Sequence, residues 1–386
     1  MGAGGFIASN IRFKGKMAVI PTAVSFFAVV FSLMVAAGYR GEFRTRLSRM
    51  TGDIQLASPH SGMDMSGESV RVRPELVEAV SSIRGVARVE PVVYRAGIVR
   101  NGERIQGVMF KGVPSEGGTP LGASIPSGLA KSLGLAPGDD LPGYFVGERL
   151  AVRKFRITDV YEGMTGSGHQ VVFVGLDELR RVNLWDDDRA SALEITLGPR
   201  YASREKQKAK AVEIAGRAYS LAEGDDDPVV AVASCDRYYN LFDWLDLLDM
   251  NVLTILLLMI LVAGFNMVSG LLILLFRNIS TIGTLKALGM GDRGVAGVFL
   301  RVAAKGVLAG MAAGNVLAIA LGLLQQCTHF ISLNPDNYFL SFVPVSIDLP
   351  QILVVDAIAF AAIMLLLLLP SLFIAKVDPA DTVRVR

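Results

Sequence analysis

"VLTILLLMILVAGFNMVSGLLILLF", residues 252–276, runs for 25 residues without a charge, and "RNISTIGTLKALGMGDRGVAGVFLRVAAKG", residues 277–306, follows it directly. A helix of about 20 apolar residues crosses roughly 30 Å of hydrocarbon, so the first stretch reads as a membrane span. The second stretch opens on Arg277 and holds the helical rhythm Ile282, Leu285, Leu288 before the next apolar run begins. A polar turn would suffice to join two spans. A short semi-apolar helix in its place points to a contact at the membrane surface.

Working outward, Ile352–Ala375 is a second apolar run, broken only by Asp356, and Val302–Leu324 a third, carrying Lys305 one turn inside. Met17–Gly38 is a fourth, with Pro21 in its first turn. The chain has 386 residues, 52% of them hydrophobic and 19% charged. Its apolar residues are concentrated in these four runs, and a globular composition fills Arg40–Leu248. The fold class is therefore an α-helical membrane protein with four transmembrane helices plus a large extracytoplasmic α/β (α+β) domain made of two subdomains.

Basic residues orient the spans. Arg12, Lys14 and Lys16 precede span one; Arg277, Lys286, Arg293 and Arg301 flank the link between spans two and three; Lys376, Arg384 and Arg386 close the chain. The loop 325–350 has no Lys or Arg. Every basic flank falls on one side when both termini and the 277–294 link are cytoplasmic, which puts the large domain outside. The domain itself is close to neutral, so the basic surplus belongs to the membrane rims and argues against a nucleic-acid partner.

The expected organisation is a cytoplasmic amphipathic segment (1–16), span one (17–39), an extracytoplasmic domain (40–248), span two (249–276), a cytoplasmic helix and loop (277–294), span three (295–324), an extracytoplasmic loop (325–350), span four (351–375) and a cytoplasmic tail (376–386). Span one has the outline of a cleaved signal peptide, but its length and the continuation "YRGEFRTRL" favour a retained anchor. Residues 1–16 read equally as an interfacial helix or an unstructured tail. Within 40–248 the pattern gives a helix from Pro74 to Ile83, two strands joined by an "NGE" hairpin, and the strand "SALEITLG". A helix over Ala202–Tyr219 and the strand "DPVVAVAS" follow. Residues 40–117 and 190–248 form one subdomain, porter-like, into which a β-rich one (118–189) is inserted. A helix from Tyr238 to Asn251 enters span two without a breaker, a route by which force can pass between domain and membrane.

Catalytic signatures are missing. His60, His169 and His329 are scattered, no HExxH or paired Cys/His spacing exists, and there is neither a GxSxG elbow nor a GxxxxGK[ST] phosphate loop. "TGSGH" (165–169) reads as a turn. No metal, catalytic or cofactor site is expected in this chain. Cys235 and Cys327 fall on the oxidising side but lie in separate segments, and are expected to be unpaired. Asn266, Asn315, Lys305 and Asp356 are too few for an ion relay. In span three, Gly306, Gly310 and Gly314 recur every four residues, a small-residue ridge for close helix packing whose partner helix, in this chain or in a second one, stays open.

"VAGFNMVSGLLILLFRNISTIGTLKALGMGDRGVAGVFL…KGVLAGMAAGNVLAIALG" resembles the signature block of the MacB/FtsX permease superfamily. "GYRGEFRTRLSRMTGDIQL", "LAKSLGLAPGD", "NYFLSFVPVSIDL" and "PSLFIAKVDPADTVRVR" resemble the lipoprotein-releasing permeases in particular. The resemblance covers nearly the whole chain through the order and spacing of these segments. It implies an ABC transporter permease in a bacterial inner membrane that works with a dimeric cytoplasmic ATPase, which binds the ATP and Mg. It also implies a second permease subunit, identical or homologous, a lipoprotein substrate in contact with membrane lipids, and a periplasmic carrier. The alternatives are a MacB-like exporter and an FtsX-like mechanotransmitting permease that regulates an extracytoplasmic hydrolase.

On this resemblance Thr281, Ile282, Leu285, Lys286, Leu288 and Gly289 are the ATPase-coupling residues, with Ile282, Leu285 and Leu288 as one stripe for a protein groove, Lys286 turned away from it and Gly289 as the cap. Phe31, Met34 and Val35 of span one and Val252, Ile255 and Met259 of span two are the candidate lipoprotein cavity. Permeases that receive the carrier have a protruding hairpin after "GD"; here "DLPGYFVGERLAVR" (140–153) is short for it, leaving Tyr144 and Phe145 as a small candidate carrier contact.

Overall fold

The computed structural model describes residues 16–61, 68–114, 121–146, 150–163, 170–201, 203–222, 227–334 and 340–371. The elements are α1 (Lys16–Thr51), β1 (Ile54–Ala57), β2 (Val70–Arg71), α2 (Pro74–Ser81), β3 (Val86–Asn101), β4 (Arg104–Val113), β5 (Gly122–Pro126), α3 (Ser127–Leu133), β6 (Asp140–Phe145), β7 (Ala151–Tyr161), β8 (Val171–Gly175) and α4 (Leu176–Asn183). They continue with β9 (Arg189–Ala190), β10 (Ala192–Leu197), α5 (Arg204–Leu221), β11 (Val230–Ala233), α6 (Ser234–Arg237), α7 (Tyr239–Arg277), α8 (Ile279–Ala287), α9 (Asp292–Thr328) and α10 (Leu349–Ser371). The chain divides into two compact units: Met1–Gly41, Leu245–Ile331 and Val343–Arg386 in one, Glu42–Trp244 and Ser332–Phe342 in the other. The amphipathic segment expected over 1–16 (all but Lys16), the "TGSGH" turn and the 376–386 tail lie outside the described residues.

The first unit contains four helices long and apolar enough to cross a membrane, α1, α7, α9 and α10. Both α1 and α7 extend past the hydrocarbon requirement, because "YRGEFRTRL" and "YNLFDWLDLLDMN" contain no helix breaker. The core of this unit joins Phe26, Ile260, Met267, Leu271, Ile282, Val298, Phe299, Val302 and Ile363. The residues that α9 offers to α1 are small. A Cβ built on Gly310 would stand 2.9 Å from Thr22 Cγ2, and one on Gly314 would stand 2.5 Å from the Ala23 carbonyl oxygen and 2.8 Å from Phe26 Cβ. The glycine ridge therefore packs inside the chain. It continues past the sequence reading through buried Ala318 and Gly322, the latter covered by Met34. Between α9 and α10, Asn315 Nδ2 donates to Asp356 Oδ2 at 2.5 Å. Lys305 is exposed one turn into the apolar part of α9, as a snorkelling lysine requires.

The second unit has a nine-stranded sheet ordered β11-β1-β10-β3-β4-β8-β5-β7-β6, with a further pairing of β3 to β6. That last pairing, Ile98 with Tyr144 and Val99 with Gly143, closes β3, β4, β8, β5, β7 and β6 into a six-stranded barrel. Its interior is aromatic: Phe110 lies with its ring centroid 4.7 Å from Phe145 and 5.5 Å from Phe155. Gly97 and Gly143 make room for it, since a Cβ on either would fall 2.9 Å from the Phe110 ring. The strands 93–113, assigned from sequence to the porter-like subdomain, thus belong to the barrel core. Strand β3 is shared. Its first half pairs with β10 and its second half with β4. On the other part of the sheet, α2 and α5 cover β1, β10 and β11 through Leu76, Val80, Ala211, Ile214 and Ala218. Cys235 is buried in this layer, Cys327 is exposed on α9, and both are free.

The C-terminal end of α1 is held by a buried polar cluster. Lys111 Nζ on β4 donates to the carbonyls of Arg49 (3.0 Å) and Met50 (2.9 Å), the last turn of α1, and pairs with Glu194 Oε2 at 2.6 Å. A cation at a helix C-terminus meets both the unpaired carbonyls and the negative end of the dipole. The Tyr94 hydroxyl donates to the Glu194 carboxylate, and Gln55 Nε2 donates to the same carboxylate at 3.3 Å. Burial, reinforced by the Glu194 charge, raises the Tyr94 hydroxyl well above its ordinary pKa, so it stays a donor. Gly52, at φ +67°, then turns the chain out of the helix into β1.

Two measurements check this packing. Lys111→Met leaves Glu194 buried without its cation and is expected to destabilise the second unit by about 3–5 kcal/mol, whereas Lys111→Met with Glu194→Leu recovers most of the loss. Thermal unfolding of the detergent-solubilised protein reads both; equal losses in the single and double variants would show the pair to be incidental. Gly314→Ala is expected to cost about 1–3 kcal/mol by overpacking. Gly297→Ala, where a Cβ meets nothing within 4 Å, is expected to be neutral.

Candidate functional site

The link between spans two and three folds as expected, but its stripe faces inward. Helix α8 starts after Asn278, whose amide Nδ2 donates back to the Leu274 carbonyl at 2.8 Å. It ends in a Schellman motif: Gly289 N–H donates to the Lys286 carbonyl (2.9 Å) and Met290 N–H to the Leu285 carbonyl (3.0 Å), with Gly289 at φ +89°. Ile282 is buried in the bundle core, and Leu285 and Met290 pack against the same core. The groove that receives Ile282 and Leu285 is therefore supplied by this chain. The sequence pattern identified an apolar stripe but could not tell an internal groove from a partner's.

What remains outside is Ile279, Ser280, Thr284, Ala287, Leu288 and Gly289, all exposed, with Ile279 at 38%, Leu288 at 79% and Thr281 intermediate. Lys286 pairs with Asp292 at 2.8 Å, its side chain only 9% exposed, which clamps the end of α8 to the start of α9. Leu288 is the one coupling residue of the apolar stripe that is free to meet another surface. Ser280, Thr284 and Ala287, not singled out from sequence, share its exposed side; a helical wheel anchored on buried Ile282 would have found them.

The residues assigned to a lipoprotein cavity separate in the same way. Met34 is 1% exposed and fills the space over Gly322 beside Val345, so it is a packing residue of the bundle rather than a cavity wall. Phe31 and Val35 are half-buried against the same cluster, and Phe31 stacks on Phe27 at 5.7 Å. On α7, Val252 and Met259 are half-buried and Ile255 is exposed. A helical period fixes which residues share a face, not which face is covered, and span one turns its Met34 face to α9.

In the second unit Phe145 is 1% exposed inside the barrel, because strand alternation points it inward, and so it cannot be a contact tip. Tyr144 is half-buried. The apolar side chains exposed on this hairpin are Val146 (69%), Leu150 (67%) and Val152 (51%), flanking 147–149.

Residues 253–379, which take in spans two to four and the α8 link, match the FtsX-like permease C-terminal family. The chain carries an FtsX-like permease domain. The likeness to lipoprotein-releasing permeases extends well beyond that domain. The lipoprotein-releasing system transmembrane protein LolC of Neisseria meningitidis is 23% identical over 97% of this chain and 94% of its own length. LolC of Xylella fastidiosa is 24% identical over the same shares. The lipoprotein-releasing system transmembrane protein LolE of Haemophilus influenzae is 20% identical over 95% of this chain and 93% of its own. Among solved structures, the extracellular domain of the noncanonic ABC-type transporter YknZ from Gram-positive bacteria covers 46% of this chain and 98% of its own, at 14% identity and TM-score 0.31. The periplasmic region of MacB from Actinobacillus actinomycetemcomitans covers 50% and 95%, at 10% identity and TM-score 0.32. A structural likeness of that degree carries no argument by itself.

Within the FtsX-like permease domain, α7, α8, α9 and α10 share one core through Met267, Leu271, Ile282, Val298, Phe299 and Ile363. The short link helix is thus an integral part of the permease domain, presenting one narrow exposed face.

Proposed function

We propose that this chain is the permease subunit of an ABC transporter that extracts lipoproteins from the outer leaflet of a bacterial inner membrane and hands them to a periplasmic carrier, driven by ATP hydrolysis in a separate cytoplasmic ATPase dimer. The reading rests on the full-length likeness to lipoprotein-releasing transmembrane proteins. The observation that carries the coupling is Leu288, a large apolar side chain held 79% exposed at the end of a helix whose Ile282 is buried in the bundle core and whose Leu285 packs against that core. A side chain of that kind, on a helix clamped at both ends, suits a pocket on a partner better than open water. The distribution of Lys and Arg supports a cytoplasmic position for both termini and α8 and a periplasmic one for the large domain. A second permease, identical or homologous, completes the transporter.

The cargo surface in this proposal is the α7 face with Val252, Ile255 and Met259, joined by the half-buried Phe31 and Val35 of α1 and without Met34. Acyl chains need apolar walls reachable from the outer leaflet, and a Met among β-branched residues adapts to different chains. The carrier contact moves from Tyr144 and Phe145 to the exposed Val146, Leu150 and Val152.

Coupling is tested by Leu288→Asp. The side chain is exposed, so the variant is expected to insert and fold, to co-purify with less ATPase and to lose most permease-stimulated hydrolysis. Ile282→Asp, in contrast, is expected to lower the yield of folded protein, because it puts a charge in the bundle core. Stimulated ATPase activity of Leu288→Asp equal to the parent would remove the coupling assignment. The cargo face is tested by a photo-crosslinker at Ile255 or Met259, expected to capture lipoprotein without nucleotide and to release it with ATP. Capture of phospholipid alone, indifferent to ATP, would exclude that face.

A further inference from the structure

Where α9 meets α10, one polar pair sits among apolar side chains. Asn315 Nδ2 donates to Asp356 Oδ2 at 2.5 Å. The two remaining oxygens of the pair, Asn315 Oδ1 and Asp356 Oδ1, are both buried and have no hydrogen-bond partner among the described residues. Asp356 is 4% exposed and lies seven residues into α10 from Leu349, about 10 Å along the helix. Ile352 and Ala359 flank it on the buried side of α10, and Ala318 and Ile319 follow Asn315 on α9.

No opposite charge is at hand. Residues 17–38 of α1 and 252–276 of α7 contain no titratable side chain, and Asp356 is the sole charged residue type of α10. The nearest titratable groups are Lys305, Cys327 and His329, 10, 12 and 14 residues from Asn315, and Asp348, eight residues from Asp356. Each is about 12 Å or more away along the chain of its helix. An ionised carboxylate here has one donor for two oxygens and no cation. Burying a charge so poorly paired is costly enough that the group takes up a proton instead.

We infer that Asp356 is a proton-binding site, holding a proton in the folded membrane unit and joining α10 to α9 as a neutral acid–amide pair with Asn315. One proton settles both orphan oxygens. On Asp356 Oδ1 it removes the charge and makes that atom a hydroxyl donor, and the acceptor left on its partner is Asn315 Oδ1. A carboxylic acid and a carboxamide are both planar, and each then offers one donor and one acceptor side by side. The existing N–H···O bond and the new O–H···O bond close a single ring. A metal ion asks for more, since hard cations such as Ca and Mg gather six or more oxygens and only two stand free at this contact among the described residues. Ionisation opens the ring and leaves a charge between two helices. The α9–α10 contact therefore depends on a proton, whereas the glycine contact of α9 with α1 does not. Nothing in this inference depends on what the chain transports.

Infrared spectroscopy of the full chain in bilayers at neutral pH tests it. A protonated carboxyl has a C=O band well separated from the bands of the ionised carboxylates that water surrounds. The parent is expected to show such a band, Asp356→Asn to lose it, and Asn315→Leu to keep it at a shifted position, because that variant removes the amide partner and leaves the acid. Asp356→Asn preserves the planar shape and can pair amide to amide, so it is expected to fold. Carbon-13 labelling of the aspartate carboxyls gives a second reading on the unaltered sequence, in which the acid band must move with the label. Parent and Asp356→Asn spectra that coincide in the acid region would overturn the proposal. So would a labelled parent without any aspartic-acid band, or a band indifferent to Asn315→Leu. A band that vanishes when sodium, calcium or magnesium is added would assign the two oxygens to a metal ion and overturn it as well.

Discussion

A helix that leaves a membrane exposes four unpaired carbonyls at its end, and the way α1 resolves this sets the sheet unit around it. Lys111 brings an ammonium group to the Arg49 and Met50 carbonyls, and Glu194 balances the charge. Both side chains are almost wholly buried, so neither can be solvated if the other leaves. Tyr94, Gln55 and Glu194 reach the cluster from β3, β1 and β10, while Lys111 comes from β4. The end of α1 is thereby tied to both parts of the sheet at the point where β3 passes from one to the other. Nearby, Asp53 accepts from Leu197 N–H at 2.7 Å and pairs with Arg44 of α1 at 3.4 Å, a second bond between the helix end and β10. A buried ion pair is weak evidence for net stability, but it strongly selects one geometry, since few other arrangements satisfy every partner.

In the membrane unit the corresponding constraint is backbone approach. Lipid gives helices no hydrophobic reason to associate, so contact area must come from fit. Glycines on α9 admit the α1 backbone so closely that a methyl group on Gly314 would meet a carbonyl oxygen. The series Gly306, Gly310, Gly314, Ala318, Gly322 keeps one narrow face small over four turns, and Met34 occupies the space at its Gly322 end. This explains why Met34 is unavailable to a ligand.

The four spans, the uninterrupted extensions of α1 and α7, the hairpin at Gly102 and the cap at Gly289 were all legible in the sequence. Each depends on local composition or on one residue's backbone freedom. Three features were not. The barrel depends on β3 meeting β6 and β4 meeting β8, pairings between residues far apart along the chain that no alternation pattern reveals. The role of Lys111 was hidden because a single lysine in a strand ordinarily faces solvent, and only the tertiary fold brings two helix carbonyls to it. The faces of α1 and α8 were misassigned because periodicity groups residues without naming their neighbours; Met34 and Ile282 are both apolar and correctly phased, and both face the chain's own core. The most local signals survived folding unchanged; the subdomain boundary at 93–113 was missed through long-range pairing, and the misread faces of α1 and α8 concern which surface a stripe meets.

That distinction bears on how the short α8 helix can act. If Ile282, Leu285 and Leu288 all lay in a partner, the helix would be joined to its own bundle only by the chain at its two ends, and a push on it would be absorbed by rotation. With Ile282 in the core and Lys286 held by Asp292, α8 has no such slack. Its Schellman turn shares Leu285 and Met290 with the same core, so the turn into α9 is packed as well. A load applied at Leu288 must then pass into the first turns of α9, where Val295, Val298 and Phe299 are fully buried, and α9 in turn carries the glycines against which α1 lies. Burying most of the stripe costs contact area with a partner, but it makes the remaining exposed residue a rigid handle on the bundle.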